Sequence, residues 1–393
     1  MPIAAQDYKN MEDILQMQTL SLLIDKLRFL LGNRKYAVRA TWYLFYRIEK
    51  LGLFVDKLRF RLKKLINKDG LDGAPSLEVY TQSEYNKAVT PLLDGGVLNE
   101  HVKNVKELAK SDTEKKFYVI RRWARSAGLF SYVLSNFSHV TYALSKGMIP
   151  VINMQSYPNA YLERGQIGAE NAWEYFFKQP CGYGLSDVGD SERVYSSPYL
   201  CPTVLPFTQI GYIQHWAVVY QNFFQLSDSA AQYVEEEYNR IIKPGMRVIG
   251  VHFRGTDYAK MRPRDHPVQP EADDVIRKVK SVMKEWNCDY VYISTEERKT
   301  LELFESAFPG RVLSVSQMYY DDIGFDYGRR FILYARFNRD NDTYLKGLEY
   351  LSSITILARC NSAILAPCSG SIAAMYINGG KFENTYVYNL GVY

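Results

Sequence analysis

Nowhere in the 393-residue chain is there a run of apolar residues approaching membrane-spanning length; a spanning helix needs about 18 or more. The opening stretch MPIAAQDYKNMEDILQ lacks the basic-then-apolar order of a secretory signal. These absences point to a cytoplasmic protein, soluble or peripheral on the inner face of the membrane. Cysteine is also scarce. Cys181, Cys201, Cys288, Cys360 and Cys368 make five, an odd number with no CxxC pair, so neither a disulfide framework nor a zinc site is indicated. Reduced thiols are the simplest reading. At 47% hydrophobic and 23% charged residues, the chain is not disordered.

What is present is a long globular chain, more than twice the roughly 150 residues of a usual domain. Its net charge of +5 is concentrated, because residues 34 to 64 hold ten Lys/Arg against Glu49 and Asp56. Nucleic acid is not expected as a partner. Residues 11 to 66 read as helices, with Leu15, Leu20, Leu22, Leu23, Leu27, Leu30 and Leu31 recurring near three-to-four spacing and Gly32-Asn33 as a stop. The second helix mixes Trp42, Tyr43, Phe45, Tyr46 and Phe54 with Arg and Lys. That is the make-up of an interfacial helix facing anionic lipid, and equally of a core helix with a solvated basic face. NKDGLDGAPS, 67 to 76, reads as a linker.

From Lys116 the pattern alternates. FYVI is a strand, residues 127 to 147 form a helix opened and stopped by glycine, and IPVIN is the next strand. Residues 180 to 212 read as a long loop, followed by helices to about 242 and the Pro244-Gly245 turn. Beyond it strands are expected at 247–254, 289–293, 311–315, 363–366 and 385–389, with helices between them. The fold class is therefore α/β, with two Rossmann-like domains facing a crevice at the carboxyl ends of their strands. The expected division is a helical basic region, 1–75, a first Rossmann-like domain, 76–243, and a second, 244–393.

Candidate chemistry gathers at three strand ends of the second half. In VIGVHFRGTDY, strand alternation sets His252 and Arg254 on one face. Gly255 leaves the backbone room, and Asp257 could hold the guanidinium or cap the turn. Arginine suits a diphosphate because its planar fork binds two oxygens and stays charged. YISTEE brings Thr295 and Glu296 to the next strand end, either to accept ribose hydroxyls or to open a helix. PCSGS then opens a helix at Ser369, Gly370 and Ser371, whose free N–H groups and hydroxyls would receive an anion or serve as a plain cap.

The order of these motifs resembles the fucosyltransferase superfamily, especially the α1,6-fucosyltransferases of core N-glycan and nodulation-factor synthesis. VIGVHFRGTDY is similar to their VIGVHxRRTDK segment, and YISTEE to their strand ending in (A/S)TD(D/E). LARCNSAILAPCSGSIAAMYING is similar to their LSxxDxxIxxxSSxxS segment, and NAWEYFFKQP to their WExxF-P segment. The resemblance covers roughly residues 115 to 390. It implies a GT-B fold and an inverting, metal-independent transfer of fucose from GDP-fucose to a glycan or lipid-linked oligosaccharide acceptor. The donor is a substrate, so no cofactor is expected. By position, His252 would contact the nucleotide, Arg254 the β-phosphate and Ser369 the diphosphate.

Several positions depart from the pattern. Gly255 stands where the family has its second Arg, and Tyr258 where it has Lys. The acidic catalytic position falls near Arg262, and a family Asp aligns with Ser353. Phe130 and Ser131 replace part of the Gly-rich opening. Asp265 and then His266 are the nearest candidates for a catalytic base, with Glu163 and Asp187 behind them. Asp340-Asn341-Asp342 has the Asp-x-Asp spacing of a metal-dependent transferase, but no apolar strand precedes it, and helix capping accounts for it better. Another nucleotide sugar as donor and a catalytically inactive, membrane-docked nucleotide-sugar binding protein are the alternatives.

Overall fold

A computed structural model of the chain describes residues 76–77, 80–121, 127–188, 191, 193–197, 210–255, 257–325 and 332–393. The expectations for the helical region 1–75, its basic helix and nearly all of the linker lie outside these residues.

The first half is built on a four-stranded parallel sheet in the order β1-β4-β2-β3. Its strands are β1 (Ser76–Leu77), β2 (Phe117–Arg121), β3 (Ile149–Asn153) and β4 (Val194–Ser196). Two helices, α1 (Gln82–Val89) and α2 (Gly95–Lys110), lead into β2. Thr81 and Glu84 form a reciprocal capping box at the start of α1.

The glycine-started helix is α3 (Leu129–Ser145). Its cap, Gly128, has extended backbone, and the chain leaves it through Gly147 at φ 61°, a left-handed turn that glycine adopts without a Cβ penalty. Every residue from Leu129 to Leu144 except the half-buried Ser131 is buried, so α3 is covered on nearly all sides and its polar side chains need internal partners. The Ser138 and Thr141 hydroxyls accordingly donate to the carbonyls of Leu134 and Phe137, at 3.2 and 2.9 Å.

The stretch expected as one long loop, 180 to 212, contains the short helix α4 (Leu185–Val188) and β4. Strand β4 lies between β1 and β2, aligning Phe117 with Val194 and Val119 with Ser196. Three residues, VYS, carry no readable period; backbone pairing alone makes them a strand, closed by the Ser197 N–H to Val119 O bond of 2.9 Å.

Helices α5 (Ile210–Phe223) and α6 (Asp228–Ile241) connect to a five-stranded parallel sheet in the order β7-β6-β5-β8-β9. Its strands are β5 (Val248–His252), β6 (Tyr290–Ser294), β7 (Val312–Leu313), β8 (Ser362–Leu365) and β9 (Thr385–Val387). Between them run α7 (Asp257–Met261), α8 (Ala272–Val282), α9 (Arg298–Ala307), α10 (Asp342–Leu357) and α11 (Ser369–Asn378). From β5 the chain builds outward through β6 and β7, then returns to the other side of β5 for β8 and β9. The strand order therefore reverses between β5 and β8, the switch point at which doubly wound sheets leave room for a ligand.

Three local expectations change. Strand β5 ends at His252 rather than 254, and its last ladder bond runs from Phe253 N–H to Ser294 O at 3.0 Å. The strand alternation that would place His252 and Arg254 on one face stops before Arg254. Helix α9 starts without a local side-chain cap; Asp321 accepts the Arg298 and Lys299 N–H groups instead, at 2.8 and 3.0 Å. In the Asp-x-Asp segment, Asn341 caps α10 in the left-handed region, at φ 53°, without a side-chain bond. Asp342 holds the preceding loop, accepting from Phe337 N–H and Arg339 Nε at 3.2 and 3.0 Å.

One apolar cluster contains residues from both sheets and from the helices between them. Phe137 of α3 stacks on Tyr376 of α11 at 4.9 Å, and Phe176 stacks on Tyr344 of α10 at 5.9 Å. At Gly347 in α10 a Cβ would lie 2.3 Å from Phe176 Cζ, so only glycine admits that ring without displacement.

Candidate functional site

The switch point of the second sheet brings two of the three motifs together. His252 is level with Leu365 across the ladder, and three residues later Cys368 caps α11. The Ser371 hydroxyl is fully buried and donates to the Ala366 carbonyl at 2.6 Å. With that proton used, His252 Nδ1, 2.8 Å from the same oxygen, must be the donor, which puts Nε2 on the opposite side of the ring. Gly370 admits this arrangement: a Cβ there would lie 2.6 Å from the Tyr350 hydroxyl and 2.7 Å from His252 Cε1. The serines thus divide. Ser371 orients the imidazole, whereas Ser369 is half-buried at the helix N-terminus, where free N–H groups favour anions.

Cys368 completes this corner with Sγ 3.5 Å from His252 Nδ1. Burial alone would push the thiol up. The His252 charge and hydrogen bond, the Ser371 N–H and the Arg254 charge outweigh it and bring the thiol down to about 7. Burial pushes Cys181 up to about 12 and raises Cys360 as well. Sequence reading missed Cys368, because nothing in PCSGS says that an imidazole lies beside it.

Arg254 follows the end of β5 and pairs with Glu296, which follows β6. Nη1 donates to Oε1 at 2.6 Å, and the side chains are 13% and 16% exposed. The Tyr258 ring lies over the guanidinium at 4.9 Å, so an aromatic face stands where the resembling family carries a cation. His266 meets the edge of Tyr258 at 5.2 Å. Its Nδ1 lies 3.0 Å from the Arg264 carbonyl, a pure acceptor, so Nδ1 bears the proton. Asp265 is in the left-handed region at φ 62°, with its side chain 80% exposed and 3.5 Å from Arg264.

The other candidates are placed as follows. Thr295 is buried and its Oγ1 accepts from Glu297 N–H at 3.4 Å. Asp257 opens α7. Gly255 packs under the Phe253 ring, where a Cβ would approach Cε1 to 2.3 Å, so a side chain in place of this glycine requires the ring to move. Ser353 lies in the core, donating to Ser294 Oγ at 2.8 Å. Asp187 accepts from Gly184 N–H at 2.7 Å, and Glu163 is exposed at the start of a short 3-10 turn.

Several aromatic side chains lie within electrostatic reach of the ion pair. Phe130 of α3 meets the edge of Tyr350 at 5.1 Å. Burial pushes the hydroxyls of Tyr161, Tyr320 and Tyr350 up; Glu296 pushes in the same direction and Arg254 opposes it. All three stay protonated at neutral pH and all feel the pair. The four cysteines among the described residues are free thiols. Among those residues no group of three or more His, Cys, Asp or Glu is arranged to hold a metal ion, and no helix is long and apolar enough to cross a membrane.

Fold and site together define a protein with two parallel α/β sheets, the second presenting an imidazole, a guanidinium and a helix N-terminus around its switch point. No family model matches the sequence, and no curated protein matches it. Among solved structures, the chain is similar to fucosyltransferase NodZ from Bradyrhizobium at 16% identity and a TM-score of 0.42, over 67% of this chain and 92% of that one. A mutant of Arabidopsis thaliana FUT1 in complex with GDP is similar at 10% identity and a TM-score of 0.41, over 79% and 78%. POFUT1 in its apo form is similar at 9% identity and a TM-score of 0.41, over 71% and 99%.

Proposed function

We propose that the chain is a glycosyltransferase that binds a nucleotide sugar at the β5/β8 switch point, with GDP-fucose as its donor and a glycan or lipid-linked oligosaccharide as its acceptor. The observation that carries this reading is the meeting of His252, Arg254 and the N-terminus of α11 where the strand order reverses. In transfer from a nucleoside diphosphate sugar, negative charge grows on the departing β-phosphate. Arg254 offsets that charge and the first N–H groups of α11 share it, with the Ser369 hydroxyl beside them. This reading needs no metal and no further cofactor, and attack by an acceptor hydroxyl on the face opposite the diphosphate inverts the sugar.

For the base, the reading favours His266 over Asp265. His266 joins the ring contact that runs through Tyr258 to Arg254, and with Nδ1 as donor, Nε2 is the nitrogen that would take the acceptor's proton. Asp265 lies on an exposed turn. Peripheral attachment through residues 34 to 64 remains part of the proposal, and vesicle sedimentation of the full chain against one lacking residues 1 to 70 tests it.

The donor is tested by incubating the full chain with GDP-fucose and a panel of other nucleotide sugars, scoring hydrolysis and protection against thermal unfolding. GDP-fucose should protect most strongly and be turned over. Turnover of another donor replaces fucose in the reading, and protection without turnover in the presence of acceptor glycans marks a binding protein. Absence of any effect from every donor refutes the assignment.

A further inference from the structure

On the reading above, Arg254 meets the donor diphosphate, and the inference drawn here rests on that reading. In the structure the guanidinium is already engaged by an anion, Glu296 Oε1 at 2.6 Å, with both side chains largely withdrawn from water. A diphosphate cannot join this arrangement unchanged, because a second anion beside the carboxylate would meet strong repulsion in a poorly hydrated site. One partner must yield. Arg254 lies beneath the Tyr258 ring. Glu296 is anchored through its backbone, whose carbonyl accepts from Tyr320 N–H at 3.1 Å, and a change of side-chain rotamer would carry its carboxylate away from Arg254 without moving that anchor.

We propose that Glu296 is an internal anion that holds the phosphate position on Arg254 in the empty protein, and that donor binding exchanges the carboxylate for the diphosphate. The exchange keeps a buried guanidinium partnered in both states, which avoids the cost of an isolated buried charge. It also sets a threshold, since an incoming anion must outcompete a carboxylate already in place. The role is distinct from that of a ribose acceptor, in which Glu296 would strengthen nucleotide binding.

The two roles make opposite predictions for Glu296→Gln, which keeps the shape and removes the charge. Isothermal titration of wild type, Glu296→Gln and Arg254→Ala with GDP, guanosine and inorganic pyrophosphate reads the difference. Exchange predicts that Glu296→Gln binds GDP and pyrophosphate about tenfold tighter, a typical coupling between two ligands of one group, with guanosine unchanged and the empty variant unfolding at a lower temperature than wild type. Equal or weaker GDP and pyrophosphate binding by the variant overturns the proposal, as does a parallel loss for guanosine. If no nucleotide binds any form but pyrophosphate still prefers the variant, the exchange stands and the nucleotide-sugar reading falls. If Arg254→Ala binds GDP and pyrophosphate as wild type does, both fall. Should Glu296→Gln not fold, Glu296→Ala reads the same exchange.

Discussion

Replacing Gly370 by alanine adds one methyl group at a crowded point of the candidate site, between Tyr350 and His252. In an open helix position the change stabilises by up to about 1 kcal/mol, through propensity and loss of unfolded-chain freedom. At Gly370 the new Cβ would lie 2.6 Å from the Tyr350 hydroxyl, 2.7 Å from His252 Cε1 and 3.1 Å from Ile354 Cδ1. These neighbours are constrained: His252 is tied to Ser371 at 2.8 Å, and Tyr350 meets Phe130 at 5.1 Å. Overpacking of this kind costs about 1–3 kcal/mol and outweighs the propensity gain. A net loss of about 1–2 kcal/mol should lower the urea midpoint without changing the slope, and moving the imidazole should weaken nucleotide binding at the same time. Gly211→Ala supplies the control, since that glycine is exposed in the first turn of α5 with nothing within 4 Å of the added atom. The control should be neutral or slightly stabilising. Gly370→Ala unfolding at or above the wild-type midpoint would falsify the claim that His252 is held rigidly against α11.

Three further outcomes are expected. Arg254→Ala should lower turnover at saturating donor by about tenfold to a hundredfold if the guanidinium stabilises the leaving diphosphate, and unchanged turnover removes it from the mechanism. Cys368 should make stability pH-dependent: its folded value of about 7 lies below the ordinary thiol value of 9.0, so the unfolded state binds the extra proton between them. The stabilising contribution is present above about pH 9 and is lost as pH falls through 7, so Cys368→Ser should narrow the gap in urea midpoint between pH 9 and pH 6.5; an undiminished gap refutes this. Asp321→Ala should cost about 1 kcal/mol by leaving two N–H groups of α9 uncapped, and Asp321→Asn should recover most of it in the same denaturation assay.

The departures from the resembling motifs become intelligible only in three dimensions. Gly255 lies under the ring of its own neighbour Phe253, Tyr258 covers Arg254, and Phe130 abuts Tyr350 beside Gly370. At each place an aromatic ring occupies the space beside the departing position. Ser353 marks the opposite case: it packs behind β6 in the core, so its side chain makes no contact with the ion pair.

Apolar runs and glycine punctuation were enough by themselves to determine β2, β3, β5, β6, β8 and the buried helix α3, because burial on both faces leaves an uninterrupted hydrophobic signal. They also located the strand ends that carry His252 and Arg254. Only the tertiary structure decided that three residues at 194–196 form a strand, that Asp321 caps a helix 23 residues upstream, and that Arg254 is bonded to a carboxylate 42 residues away. These are pairings between segments distant in sequence, made through single hydrogen bonds and ring contacts. No local period encodes them; they exist only once the sheets have fixed where each strand ends.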